Sequence, residues 1–248
     1  MGGLVKILLT VAYDGTNYAG WQRQENAISV QQSLEKALAN LLGQPTKLSA
    51  ASRTDAGVHA LGQKAVFMAE YMPIPLDRFP LALNKFTSDD IIVREAKLVS
   101  DEFNPRFDAM FKTYRYQIYN ARLPNPLESR YSAFVPRPLD IEKMKQAAKK
   151  IIGTHDFAAF CATGSSAKTT IRTIFGCDIK KDGDMIQMLV SGNAFLYNMV
   201  RIIAGTLIYV GMGKIEAEAI PNIIASKERS LTGKTMPPEG LTLMDIFY

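Results

Sequence analysis

The chain has 248 residues, 47% hydrophobic and 21% charged, which suffices for one large domain or two small ones and excludes long disordered segments. Its formal net charge of +5 suits a polyanionic partner, because lysines and arginines that meet phosphates release condensed counterions, but charge alone is better read as that of a merely basic soluble protein. Two cysteines give no disulfide framework, the first residues lack signal-peptide and myristoylation patterns, and the apolar run 195–210 contains Asn198 and Arg201, so a soluble cytoplasmic protein without a membrane span is expected.

Val5–Tyr13 is rich in β-formers and reads as a strand closed by the Asp14-Gly15 turn. Ser29 opens a helix, with Gln32 three residues on as in a capping box and Gly43 as its stop. Val30, Leu34, Leu38, Leu41 and Leu42 form its apolar stripe. Extended segments follow at 47–52 and 63–69, a helix at 75–85 and a strand at 91–96. Thr113–Asn120 alternates as a strand, and the four prolines of 123–138 mark a long loop. Asp140 caps a helix ending at Gly153. Residues 170–180 and 185–191 form a hairpin around Asp182-Gly183, and 195–210 forms a helix. Strand, helix, two strands, helix therefore appears twice. The pattern predicts two α+β halves with mostly antiparallel sheets and helices on one face, joined near 101–110.

Common cofactor signatures are absent. Gly233-Lys234-Thr235 resembles the end of a P-loop, but Glu228 stands where the first glycine belongs. His59 and His155 lie in no metal-ligand spacing, so no metal or other cofactor is expected. The informative stretch is 51–63. There Arg53 and Asp55 stand two apart, and residues so spaced on an extended segment face the same way. That arrangement suits a cation and a carboxylate presented together, but local chemistry alone favours a surface turn in which Asp55 bonds backbone amides.

The block Arg53-Thr54-Asp55-Ala56-Gly57-Val58-His59-Ala60 resembles the signature of the TruA-type tRNA pseudouridine synthases. So do Tyr13-Asp14-Gly15-Thr16-Asn17-Tyr18-Ala19-Gly20-Trp21-Gln22, Ser29-Val30-Gln31 and Lys112-Thr113-Tyr114-Arg115-Tyr116. His155-Asp156-Phe157, Arg172-Thr173-Ile174, the run 195–201 and Pro238-Glu239-Gly240-Leu241 continue the likeness in the family's order. Ser52, Asn104 and Met236 depart from its usual Gly, His and Ala.

This resemblance implies the pseudouridine synthase fold, α+β, with two pseudo-repeated halves like RNA-recognition or ferredoxin modules around a central cleft. Residues 1–105 would carry the catalytic aspartate, and residues 106–248 the base-stacking tyrosine and a paired arginine. It implies isomerisation of uridine to pseudouridine at positions 38, 39 or 40 of the tRNA anticodon arm, by base flipping, in a homodimer. Asp55 would be the nucleophile. Tyr114 would stack on the flipped uracil, Arg201 would pair with Asp55 and keep it ionised, and Arg53 would either enter the space the uridine vacates or contact a phosphate. The alternatives are a related RNA pseudouridine synthase with another target and a non-catalytic RNA-binding module.

Overall fold

The computed structural model describes residues 4–70, 72 and 74–248. They divide into two compact units, residues 1–110 with 242–248, and residues 111–241.

The first unit opens with β1 (Val5–Tyr13), whose alternation buries Ile7, Leu9, Val11 and Tyr13 on one face. The helix α1 (Val30–Leu42) follows. The Ser29 hydroxyl accepts the Gln32 amide at 3.3 Å, and Gly43 ends the helix at φ 73°. Val30, Leu34 and Leu38 are buried as expected, whereas Leu41 and Leu42 are only half-buried and Glu35 takes a buried place instead. Next come β2 (Ser49–Ala50), β3 (His59–Ala69), α2 (Phe79–Leu83) and β4 (Ile91–Val99). The helix expected over 75–85 is reduced to five residues, beginning just before Pro80 and ending at Leu83, with Asn84 as its C-cap.

β1 lies between β4 and β3, antiparallel to both. The far edge of β3 receives β2 antiparallel at Val66 and Ala65, and β10 (Leu241–Phe247) parallel at His59 and Ala60. Phe67 stacks on Phe79, with ring centroids 5.8 Å apart, and joins α2 to the sheet.

The second unit contains β5 (Phe111–Tyr119), β6 (Ala133–Phe134), α3 (Ile141–Lys149), β7 (Gly153–Asp156), β8 (Ile171–Asp182), β9 (Met185–Gly192), α4 (Met199–Gly211) and α5 (Ile220–Ser226). The strand order is β5-β9-β8-β7, antiparallel throughout, with β6 added parallel to β5. The hairpin between β8 and β9 turns at Gly183-Asp184 after the Asp182–Met185 pair, one residue later than expected. Buried Tyr116, Ile118, Met144, Ile174, Met188, Ile202 and Leu207 line the core between the sheet and α3 and α4.

The two units share a plan: the first strand pairs with a later one, β1 with β3 and β5 with β9, whose other edge takes the strand between, β2 or β8. A helix follows the first strand in each. This is the mixed α+β, mostly antiparallel fold expected.

Two further boundaries differ from the sequence reading. Asp140 does cap α3, accepting the Lys143 amide, but the helix ends at Lys149 and Gly153 instead opens β7 at φ 121°. α4 starts at Met199, not 195, because Asn198 adopts a left-handed conformation, φ 59°. The first compact unit includes 242–248, because β10 pairs with β3. No helix among the described residues is long and apolar enough to cross a membrane.

Candidate active site

In the first unit, Asp55 sits on the loop between β2 and β3. Thr54 is buried there, Asp55 half-buried and Arg53 exposed, so alternation turns Arg53 and Asp55 away from the core. The turn at Ala56-Gly57, with Gly57 at φ 76°, closes when the Val58 amide donates to the Asp55 carbonyl at 3.2 Å. Tyr13, at the end of β1, shares a hydrogen bond of 2.7 Å with the Thr54 hydroxyl. The fully buried Gln63 donates to the Ser52 carbonyl at 2.8 Å, so the departure at Ser52 leaves the backbone beneath Arg53 fixed.

The segment 14–21 forms the other wall of this loop. The Trp21 amide donates to the Thr54 carbonyl at 3.1 Å, and the Gly57 amide donates to the Tyr18 carbonyl at 3.3 Å. Gly20, at φ 88°, approaches so closely that a β-carbon there would lie 2.5 Å from the Thr54 carbonyl oxygen; one on Gly15 would lie 2.0 Å from that of Val58. Tyr18 donates its hydroxyl to Asp90 at 2.7 Å, and burial is the main cause that raises its pKa, so it remains a donor. His59 Nδ1 accepts the Gly15 amide at 3.0 Å and lies 3.1 Å from Asp14 Oδ1. A backbone N–H cannot be withdrawn, so we assign the Nδ1 lone pair to Gly15. His59 is thus a packing and capping residue, and no cluster of three or more potential metal ligands occurs among the described residues. Arg53 makes no hydrogen bond or ion pair among the described residues.

In the second unit, β5 buries Lys112, Tyr114, Tyr116 and Ile118 on one face. Tyr114 meets Phe195 edge to face, with ring centroids 5.1 Å apart. Tyr116, fully buried, donates to the Pro237 carbonyl at 2.7 Å; burial first, then the charge of Glu239, holds its hydroxyl well above the usual range. It is a structural donor rather than a proton-transfer group.

Arg201 lies in the first turn of α4. Its Nε donates to the Met236 carbonyl at 2.7 Å and its guanidinium to the Asn198 side chain at 2.7 Å. The small residues beside it, Ala204 and Gly205, imply close packing, and the partner is the segment 232–236. A β-carbon on Gly205 would stand 1.9 Å from the Lys234 carbonyl oxygen. The Gly233 amide donates to Thr206 at 2.9 Å, while Arg229 donates to Thr232, the Gly233 carbonyl and Thr235. Gly233-Lys234-Thr235 is therefore a strap over α4 that positions Arg201, not a phosphate loop. Sequence reasoning missed Asn198, the Met236 carbonyl and Arg229. The signal of the close approach was the small residues Ala204 and Gly205 beside Arg201.

The two fixed groups, a carboxylate on a braced loop and a guanidinium on a braced helix start, can supply a nucleophile and a stabilising cation. Residues 9–108 and 147–248 match the family model described as tRNA pseudouridine synthase. The tRNA pseudouridine synthase A of Acetivibrio thermocellus is 48% identical over 242 residues, covering 98% of this chain and 99% of that protein. Its namesake from a Thermoanaerobacter species is 48% identical with the same coverage. That of Geotalea uraniireducens is 48% identical over 243 residues, with coverage of 98% and 99%.

Proposed function

Because the chain belongs to the family of tRNA pseudouridine synthases, we propose that it isomerises uridine to pseudouridine at positions 38, 39 or 40 of the tRNA anticodon arm, with Asp55 as nucleophile. The observation that carries this reading is the Asp55 loop itself. Its backbone is held by Gly20, Trp21, Tyr18 and Gln63, while the side chains of Arg53 and Asp55 are left outside the core. Such bracing fixes a reacting group before the substrate arrives.

The isomerisation breaks the bond between ribose C1′ and uracil N1, turns the base, and joins C1′ to C5. The hydrogen on C5 leaves as a proton and N1 gains one, so atoms and electrons balance without a redox partner. Asp55 supplies the attacking carboxylate. Arg201, its guanidinium aimed by Asn198 and the Met236 carbonyl, supports the ionised form against the cost of desolvation. Tyr114 stacks on the flipped uracil, and the exposed Arg53 fills the space left in the RNA stack.

The enzyme works in the cytoplasm as a homodimer. The open face of the second unit's sheet supports the dimer, since Ile171, Phe175 and Leu189 are each at least two-fifths exposed, an apolar surface that a second copy would cover.

The test is release of tritium from tRNA labelled at uridine C5, wild type against Asp55→Ala, followed by mapping of the modified positions. Wild-type release confined to 38–40, and none in the variant, is the expected result. Full release by Asp55→Ala would sink the nucleophile. Release at other positions would move the target, and none by either protein would leave a non-catalytic RNA-binding module. Arg201→Ala should lower turnover far more than RNA affinity; a loss of affinity alone would remove Arg201 from the reaction.

A further inference from the structure

A pocket of about 610 Å³ opens in the first unit between the start of α1 and the segment leading into β2. Its lining is polar and basic, unlike the mostly apolar walls of small-metabolite sites. Arg23, Lys36 and Lys47 are exposed around it, and Glu35 is its one acid.

Glu35 is already committed. Its Oε2 takes Arg23 at 2.7 Å, and its Oε1 accepts the Leu48 amide at 3.0 Å and the Gln31 side chain at 3.0 Å. Lys36 and Lys47 make no hydrogen bond or ion pair among the described residues, so their charge is uncompensated. Arg23 spends one nitrogen of its guanidinium on Glu35, and its side chain remains 58% exposed. Its amide donates to the Gln31 side chain at 3.2 Å, and Gln31 also donates to the Leu48 carbonyl at 3.1 Å. Buried Glu35 and half-buried Gln31 therefore pre-position an arginine fork in a pocket that two free lysines also line, an arrangement suited to a phosphate diester.

Both walls run into the Asp55 loop. Trp21, two residues before Arg23, donates its amide to the Thr54 carbonyl. Lys47 leads through β2 to Ala51, whose amide donates to the Lys64 carbonyl at 2.9 Å.

We propose that this pocket seats a backbone phosphate of the tRNA substrate, away from the target uridine, and registers the RNA against the Asp55 loop. The inference rests on the function proposed above.

The experiment measures tRNA binding to the full-length protein against KCl concentration, together with turnover at saturating tRNA. It compares wild type, the doubly reversed Lys36→Glu/Lys47→Glu variant, and a control reversed on the exposed hairpin, Lys180→Glu/Lys181→Glu. Both variants lower the formal net charge equally, from +5 to +1. The pocket variant should bind about tenfold or more weakly and lose about one to two units of the salt slope, with turnover at saturation unchanged. The control should bind much nearer to wild type. Equal weakening of both variants, or a pocket variant with wild-type affinity and slope, overturns the site. A wild type that binds tRNA but forms no pseudouridine would instead sink the catalytic reading and leave the pocket standing. A wild type that binds no tRNA would sink both. Circular dichroism melts of the variants separate lost binding from lost folding.

Discussion

The carbonyl oxygen of Thr54 stands 2.5 Å from where a β-carbon on Gly20 would be. Two segments far apart in the chain are thus in backbone contact immediately beside Asp55, and the amide of Trp21 completes the join.

Gly20→Ala should therefore disturb Asp55 without touching it. An L-residue at φ 88° costs about 1–2 kcal/mol before any overlap is counted. Turnover should fall by about tenfold or more while the far-ultraviolet spectrum is kept. Wild-type turnover with an unchanged melting temperature would show that the loop does not depend on this approach.

On α4 the same kind of approach positions Arg201. Gly205→Ala would push the strap 232–236 away, taking the Met236 carbonyl from Arg201 Nε. We expect lost stability of about 1–3 kcal/mol, as for an overpacked core, together with reduced turnover. Chemical denaturation and the tritium assay read the two effects separately. Lost stability with wild-type turnover would mean the strap holds the helix but not the arginine.

The two cysteines should differ in reactivity. Burial pushes the Cys177 thiol up to about 12, whereas Cys161 is half-buried. Native protein at pH 8 should release one equivalent of thionitrobenzoate quickly, and two when denatured. A raised thiol pKa stabilises the fold below the unfolded value near 8.5. That contribution is lost as pH rises toward about 12, and Cys177→Ser should alter stability differently across this window. Fast native labelling of Cys177 would contradict its burial.

Asp156 is the acid-sensitive counterpart. Its hydrogen bond from Lys227, at 2.8 Å, and a second from Thr170 hold its carboxyl below the usual range. A depressed carboxyl stabilises the fold above the unfolded value of about 3.9 and ceases to do so as pH falls through the folded one. Lys227→Ala should flatten the acid limb of a urea-midpoint profile between pH 5 and 3, with a small effect at pH 7 because the pair is partly exposed. An identical limb in the variant would remove the pair from the acid response.

Local signals were legible in the sequence where they acted over a few residues. The Ser29 cap, the Gly43 stop and the Asp140 cap all stand where the residue types placed them. The start of α4 was not legible, because a left-handed Asn198 has the same sequence signature as an asparagine inside a helix. Glu35 reads as a solvent-facing helix residue until Leu48 and Gln31 return to bond it, so the basic pocket had no linear trace. β10 was missed for a similar reason, since its parallel pairing with β3 joins distant segments.

At the candidate site, family membership was readable from the ordered blocks, and the comparisons bear it out. The bracing was not readable. The acceptors for the Trp21 amide, Arg201 Nε and the Tyr116 hydroxyl are the carbonyls of Thr54, Met236 and Pro237, and a carbonyl is common to every residue type.

The pairing of Thr242 with His59 sets an order on biosynthesis. Residues 242–248 leave the ribosome only after all of 111–241 has been made, so the strand flanking the segment that follows Asp55 arrives last. The first unit can gather α1 and most of its sheet early, but its edge at His59 stays open until then. A nascent chain halted anywhere in the second unit would carry Asp55 on an unfinished support and leave RNA unmodified.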